Sequence, residues 1–253
     1  MRPLLIIIFC VYCSIDAFAQ YSKYCPPLYG KIGDKRPYHI TAGYGVTKLY
    51  GDINNNTAIG SAATLQFDYQ VLNGLYIGIE SQAGVLRTDV KTTADPRQSE
   101  NDYLAGGLVA TIHPFEMILG SNQRTRNPIN GVLNSIFVGL GALYVINNYD
   151  NIYRSASDFT TYGPIAAYDQ NNEPIFETRT NSFVFPSLNF GLNIPLINVY
   201  DYEYTLSLII KGQLNYANNE LLDGYVPHDS QGVRYPSEND MYNYYSLGIR
   251  YSF

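Results

Sequence analysis

Past its first two dozen residues the chain keeps a single cysteine, Cys25, so an internal disulfide framework is excluded. Histidine is equally scarce: His39, His113 and His228 are the whole supply, with no paired Cys/His spacing for a metal. Tryptophan is absent, and only 15% of residues are charged. After the leader, no apolar run approaches the roughly 20 residues that a membrane-crossing helix needs. A net charge of −6 and a pI near 5.0 argue against nucleic acid as a partner and against simple adhesion to an anionic surface.

Catalytic and cofactor signals are missing too. There is no phosphate-cradling glycine loop. Asp52-Ile53-Asn54-Asn55-Asn56 begins like a calcium loop, but Thr57 stands where the glycine belongs and Ala63 where the closing acid belongs. Asp150, Asp158 and Asp169 share one long polar segment and read as solvated loop acids. His228-Asp229-Ser230 are adjacent, so their side chains diverge and form no nucleophile–base relay. The expectation is no enzyme, no catalytic residue, no cofactor and no metal.

What the chain does have is tyrosine, 25 of them, with 11 Phe and 21 Gly. Tyrosine in such excess suits a protein with long polar–apolar boundaries, where the ring is buried and the hydroxyl stays wet. The first 19 residues read as a secretory signal: Met1-Arg2, an apolar run from Leu4 to Val11, then Ala17-Phe18-Ala19 for cleavage. Residues 20–36, with Pro26-Pro27, Lys31, Lys35 and Arg36, read as a periplasmic N-terminal tail.

From residue 37 to 253 one pattern repeats: about ten residues of alternating polarity, then turn residues. Tyr245, Leu247, Ile249, Tyr251 and Phe253 interleave with Tyr244, Ser246, Gly248, Arg250 and Ser252, so one strand face is greasy and the other small or polar. Further candidates are 37–48, 60–70, 74–87, 102–113, 134–147, 180–194 (with Pro186 as a candidate kink) and 203–217. The total is eight, the even number that single-chain bacterial barrels use. The predicted fold is all-β, an eight-stranded antiparallel transmembrane β-barrel of OmpA/OmpX-like size. Connections at 49–59, 88–101, 148–179 and 218–240 are long and polar, hence external; Val71-Leu72-Asn73 and Pro195 to Tyr202 are short, hence periplasmic. The 114–133 connection is too long for that rule and is a candidate contact surface.

Alternation turns Asp68, Glu80, Lys211 and Arg250 into a bore just wide enough for side chains to fill. Two acids and two bases allow neutral pairing, so a plugged lumen is expected. The closing Tyr251 and Phe253 resemble the signal that barrel-assembly machinery reads.

Several short motifs resemble PorG-like outer-membrane barrels. Tyr50-Gly51-Asp52-Ile53-Asn54 is similar to their Tyr-x-Gly-Asp-(Leu/Ile)-Asn; Ala110-Thr111-Ile112-His113-Pro114-Phe115-Glu116 to their Asn-Phe-Phe-Pro-Phe-Glu; Phe137-Val138-Gly139-Leu140-Gly141 to their glycine-rich fifth strand; and Asn218-Asn219-Glu220-Leu221-Leu222-Asp223-Gly224-Tyr225 to their Thr-Asp-Tyr-Leu-Asp-Asp stretch. The long 148–179 loop and the 114–133 connection depart from that pattern. The resemblance implies a Bacteroidota outer-membrane barrel associated with type IX secretion or its relatives. It implies outer-membrane lipids and barrel-assembly machinery as partners, and periplasmic or outer-membrane proteins as further candidates. The alternative is a surface barrel whose external loops bind a ligand or protein.

Overall fold

The computed structural model describes residues 37–51, 57–89, 97–119, 133–171, 173–197, 205–228, 233–234 and 239–253. The predicted signal (1–19), the tail (20–36), Cys25 and the calcium-like Asp52–Asn56 lie outside the described residues. In chain order the elements are β1 (Tyr38–Tyr50), β2 (Gly60–Leu72), β3 (Leu75–Asp89), β4 (Gln98–Ile112), α1 (Pro114–Leu119), β5 (Ile136–Ile152), β6 (Ile165–Tyr168), β7 (Pro174–Phe176), β8 (Arg179–Ile197), β9 (Thr205–Ala217) and β10 (Met241–Ser252). Eight of the strands close into an antiparallel barrel in the order β1-β10-β9-β8-β5-β4-β3-β2, and β6 and β7 form a separate two-stranded sheet.

The ladder can be followed once round the barrel through inward-facing residues. His39 pairs with Asp68, and the line continues through Gly78, Val109, Gly141, Ser187, Asn215 and Tyr242 to return to β1 at Leu49. The stagger is thus ten residues, from His39 to Leu49, and it tilts the strands by roughly 40° from the barrel axis. From Tyr38 to Tyr50 one strand then climbs roughly 30 Å, about the thickness of a bilayer core.

Polarity is inverted relative to a water-soluble barrel. Leu65, Ile79, Leu108, Leu140 and Leu247 are exposed on the outside, whereas Gln66, Glu80, Gln82, Asn147, Gln213 and Asn215 are buried inside. Such an apolar wall, with all ladder groups paired around a closed sheet, is stable in hydrocarbon and costly in water. At the lower edge the Tyr38 ring lies 6.1, 5.4 and 5.9 Å from those of Phe67, Tyr69 and Phe253, an interfacial girdle. Tyr50, Tyr144, Phe183 and Tyr216 are exposed toward the other edge. The tight Asn73-Gly74 turn, with Gly74 at φ 74°, marks the periplasmic end, because short turns face inward in such barrels.

Three departures from the sequence expectations have local causes. Strand β4 starts at Gln98 rather than 102, and β5 runs to Ile152 rather than 147. Their extra rungs, such as Glu100 with Asn151, carry polar residues beyond the apolar belt, where alternation no longer reports burial. Secondly, Pro186 sits in a register shift between Val184 and Ser187, so Phe183 and Phe185 before it and Phe190 after it all face outward despite their mixed parity. Thirdly, the 114–133 connection opens with the helix α1, whose first residue, Pro114, needs no backbone donor there. Residues 120–132 lie outside the described residues.

Candidate functional site: a filled bore under an interlocked cap

The bore is built in layers. At the periplasmic end the rings of His39 and His113 flank Tyr76 at 5.1 and 5.0 Å, and Phe137 lies 5.6 Å from His113. Arg250 lies over Tyr76 at 5.2 Å and is paired with Asp68, Nη2 to Oδ2 at 2.6 Å. His39 Nδ1 lies 2.7 Å from Ser252 Oγ, and Tyr76 OH donates to Glu116 of α1 at 3.1 Å. His113 stands just past β4 and is buried, and that burial lowers its pKa to about 3.

The middle layer is a second ion pair. Lys211 Nζ lies 2.7 Å from Glu80 Oε1 and donates to Gln66 Oε1 at 3.2 Å. Gln66 in turn donates to Asp68 at 2.8 Å, so one amide links the two pairs. Glu80 also accepts from Gln82 at 2.8 Å and from Thr64 at 3.2 Å. Gln82 donates to Gln213, and Gln213 donates to Ser187 Oγ at 3.0 Å. The structure therefore brings Asp68, Glu80, Lys211 and Arg250 together as two ion pairs bridged by Gln66. Between the layers is a small recess lined by Thr41, Gln66, Phe137, Asn189, Lys211 and Arg250.

Above the amides the bore turns apolar. Tyr103 and Tyr242 each donate to Gln82 Oε1 at 3.3 Å, and their rings are 5.5 Å apart. Leu49, Leu86, Leu143, Val145, Val184 and Leu222 pack as a buried cluster with these tyrosines. Leu222 comes from the last external connection, so that loop contributes to the core of the barrel.

The loop is held in place by many donors. Leu222 N and Asp223 N donate to Asp240 Oδ2 at 2.8 and 3.2 Å. Asn101 Nδ2 donates to Leu222 O at 2.8 Å, and Tyr149 OH donates to Leu221 O. Gly224 adopts φ 83°, and a Cβ there would meet Ile152 at 2.8 Å and Tyr149 at 2.9 Å. Tyr225 OH reaches the carbonyls of Gln98 at 2.7 Å and Tyr153 at 2.9 Å. Arg154 donates to Glu177 O at 2.7 Å and Gly224 O at 2.5 Å, with its guanidinium over Tyr149 and Phe176. Burial lowers the Arg154 pKa from its usual value and raises that of the Tyr225 phenol. Val226 N and His228 N donate to Tyr162 O and Phe159 O at 2.7 and 3.0 Å, which ties this loop to the 153–178 loop.

Loop residues considered for chemistry have structural duties here. His228 Nδ1 lies 2.7 Å from Val226 O, and its ring packs on Tyr162 at 5.4 Å; Asp229 and Ser230 lie outside the described residues. Asp158 accepts from Thr160 N, and Asp169 from Asn171 N and Glu173 N. Asp150 accepts from Asn148. Among the described residues no three His, Cys, Asp or Glu side chains gather as a metal site. Tyr251 and Phe253 are exposed on the outer wall, rings 5.6 Å apart. Alternation in the sequence puts Gln82 and Gln213 on the polar strand faces without marking them as site residues, and it missed Tyr103 and Tyr242, although their inward parity was legible. It also missed Arg154 and Tyr225, which no periodicity marks.

No family model matches the chain, and no curated protein sequence matches it. Among solved structures it is similar to Neisserial surface protein A (12% identity, 86% of this chain and 97% of that one, TM-score 0.43). Ail, the attachment invasion locus protein of Yersinia pestis, in complex with the heparin analogue sucrose octasulfate, gives 9% identity, 85% and 97% coverage, and a TM-score of 0.40. OprG from Pseudomonas aeruginosa gives 10%, 86% and 97%, with 0.39. The closed topology and inverted polarity define the class: the chain is an eight-stranded β-barrel of the bacterial outer membrane.

Proposed function

We propose that the protein is a non-enzymatic platform in the outer membrane, with its interlocked external cap as the working face. One observation carries this reading: a loop that seals the bore with Leu222 and Tyr225 is fixed by the neighbouring loop through Arg154 and Tyr162. A barrel filled with paired side chains and capped in this way is poorly suited to passing solutes. A pre-ordered cap, by contrast, spares a binding partner the entropy of ordering loops. The β6–β7 hairpin presents Tyr168 and Ile175, both exposed, at that face.

The test is site-specific photo-crosslinking in native outer membranes, with the probe at Tyr168. A discrete protein or glycan adduct, lost when 164–177 is replaced by a short link, supports the reading. No adduct from the cap, together with unchanged cell-envelope behaviour of the shortened protein, sinks it.

A role as an accessory component of a secretion machine, such as the type IX system, is a second reading. It rests on the sequence resemblance to PorG-like barrels and on the long 114–133 connection. Removing 120–130 should then abolish co-purification of periplasmic partners while the barrel still assembles. Retention of those partners would count against it.

A further inference from the structure

At the periplasmic end an apolar surface extends beyond the strands. Met117 and Ile118 of α1 are 50% and 80% exposed, and Val71 and Leu72 at the β2–β3 turn are 46% and 45% exposed. The two segments touch. His113 N donates to Gly74 O at 2.7 Å, Met117 N donates to His113 O at 3.1 Å, and a Cβ on Gly74 would meet Met117 Cγ at 2.7 Å.

The helix has a fixed orientation. Glu116 is buried and accepts from Tyr76, which faces the bore. At 100° per residue, Ile118 lies about 200° round from Glu116, on the side of the helix opposite the Tyr76 contact. Height is set by the stagger. Each step from β1 toward β4 climbs roughly 3 Å, which places Ile112 within a few ångströms of the girdle residue Tyr69. The helix begins two residues after Ile112. Its apolar face therefore adjoins the lipid-facing wall at the level where headgroups meet acyl chains.

We infer that α1 and the β2–β3 turn form an interfacial foot, with Ile118 and Met117 seated in the phospholipids of the periplasmic leaflet. Short apolar helices at this level gain by burying their greasy face about 5–10 Å into the headgroup–acyl boundary. The inference rests on the barrel spanning a bilayer as described above.

The absence of tryptophan from the chain makes a direct test available. Full-length Ile118→Trp and, separately, Leu140→Trp on the mid-belt wall are refolded into phosphatidylcholine vesicles. Lipids brominated near the top of the acyl chain should remove about half or more of the Ile118→Trp emission, which should be blue-shifted and shielded from aqueous acrylamide. The Leu140→Trp emission should be quenched best by lipids brominated further down the chain. If Leu140→Trp is quenched and Ile118→Trp instead emits as in water and is quenched by acrylamide, the foot is overturned while the barrel stands. If Leu140→Trp escapes every brominated lipid, the spanning reading itself fails. Should Ile118→Trp fail to refold, Met117→Trp serves, with the same two outcomes.

Discussion

Lys211 and Glu80 illustrate how much the bore depends on single side chains. Glu80 has no exposed side-chain surface and Lys211 very little, so each charge is tolerated only because the other is 2.7 Å away. Lys211→Met leaves the Glu80 carboxylate uncompensated and should cost about 3–5 kcal/mol. Lys211→Met with Glu80→Gln should recover most of that, because no charge remains to be stranded. Urea unfolding in lipid vesicles reads both, and a double variant no better than the single one would show that the pair is not the controlling term. His113 makes a pH-dependent prediction. Folded, its pKa is lowered to about 3 by burial; unfolded, it returns to the usual 6.5. Its stability contribution is therefore intact above pH 6.5 and is lost as pH falls from 6.5 toward 3, at up to about 1.4 kcal/mol per pH unit. His113→Phe should flatten that part of the stability profile relative to the wild type. Parallel profiles would refute the assignment. Alternation in the sequence placed all four charged residues in the bore, yet it could not say that Asp68 takes Arg250 and Glu80 takes Lys211. That choice depends on the ten-residue stagger, a property of the closed sheet.

At the level of elements, the barrel strands were legible and the cap was not. A strand half-buried in lipid writes its two faces into every second residue, as in Leu247, Ile249 and Tyr251 against Ser246, Gly248 and Arg250. The 218–228 loop obeys no period, because its order comes from contacts with residues far away in sequence. Tyr225 bonds to Gln98 and Tyr153, and Arg154 to Gly224. The helix α1 is too short to show a repeat. Gly224 gives the cap its most specific prediction. Gly224→Ala must hold a side chain at φ 83° with its Cβ pressed against Tyr149 and Ile152. The expected cost is about 1–3 kcal/mol, felt locally. Limited proteolysis of refolded protein should cut the 218–240 loop faster in this variant, while the heat-modifiable gel shift that reports the closed barrel stays unchanged. Equal cutting rates would mean that the cap is not fixed through this residue.

For the whole molecule the question is whether the cap is the only seal, and the layers answer it. Leu222 and Tyr225 close the outer mouth, but below them the Tyr103–Tyr242 pair, the Gln82–Gln213–Glu80–Lys211 layer and the His39–Tyr76–His113 stack each span the bore in turn. An eight-stranded barrel leaves no width for a path around them. Replacing 219–238 with a short polar link should therefore leave planar bilayers as electrically silent as the wild type, even though the external loop is gone. Adding Tyr76→Gly, Gln82→Gly, Tyr103→Gly and Gln213→Gly to that shortened barrel removes side chains from all three layers, and this waist variant should produce small, resolvable conductance steps. If loop removal alone gives steady open channels, the interior layers are not seals and the platform reading gives way to a lid-gated pore. If the wild type is silent and only the waist variant conducts, closure is a property of the filled bore, and the cap is left free to serve as a recognition surface.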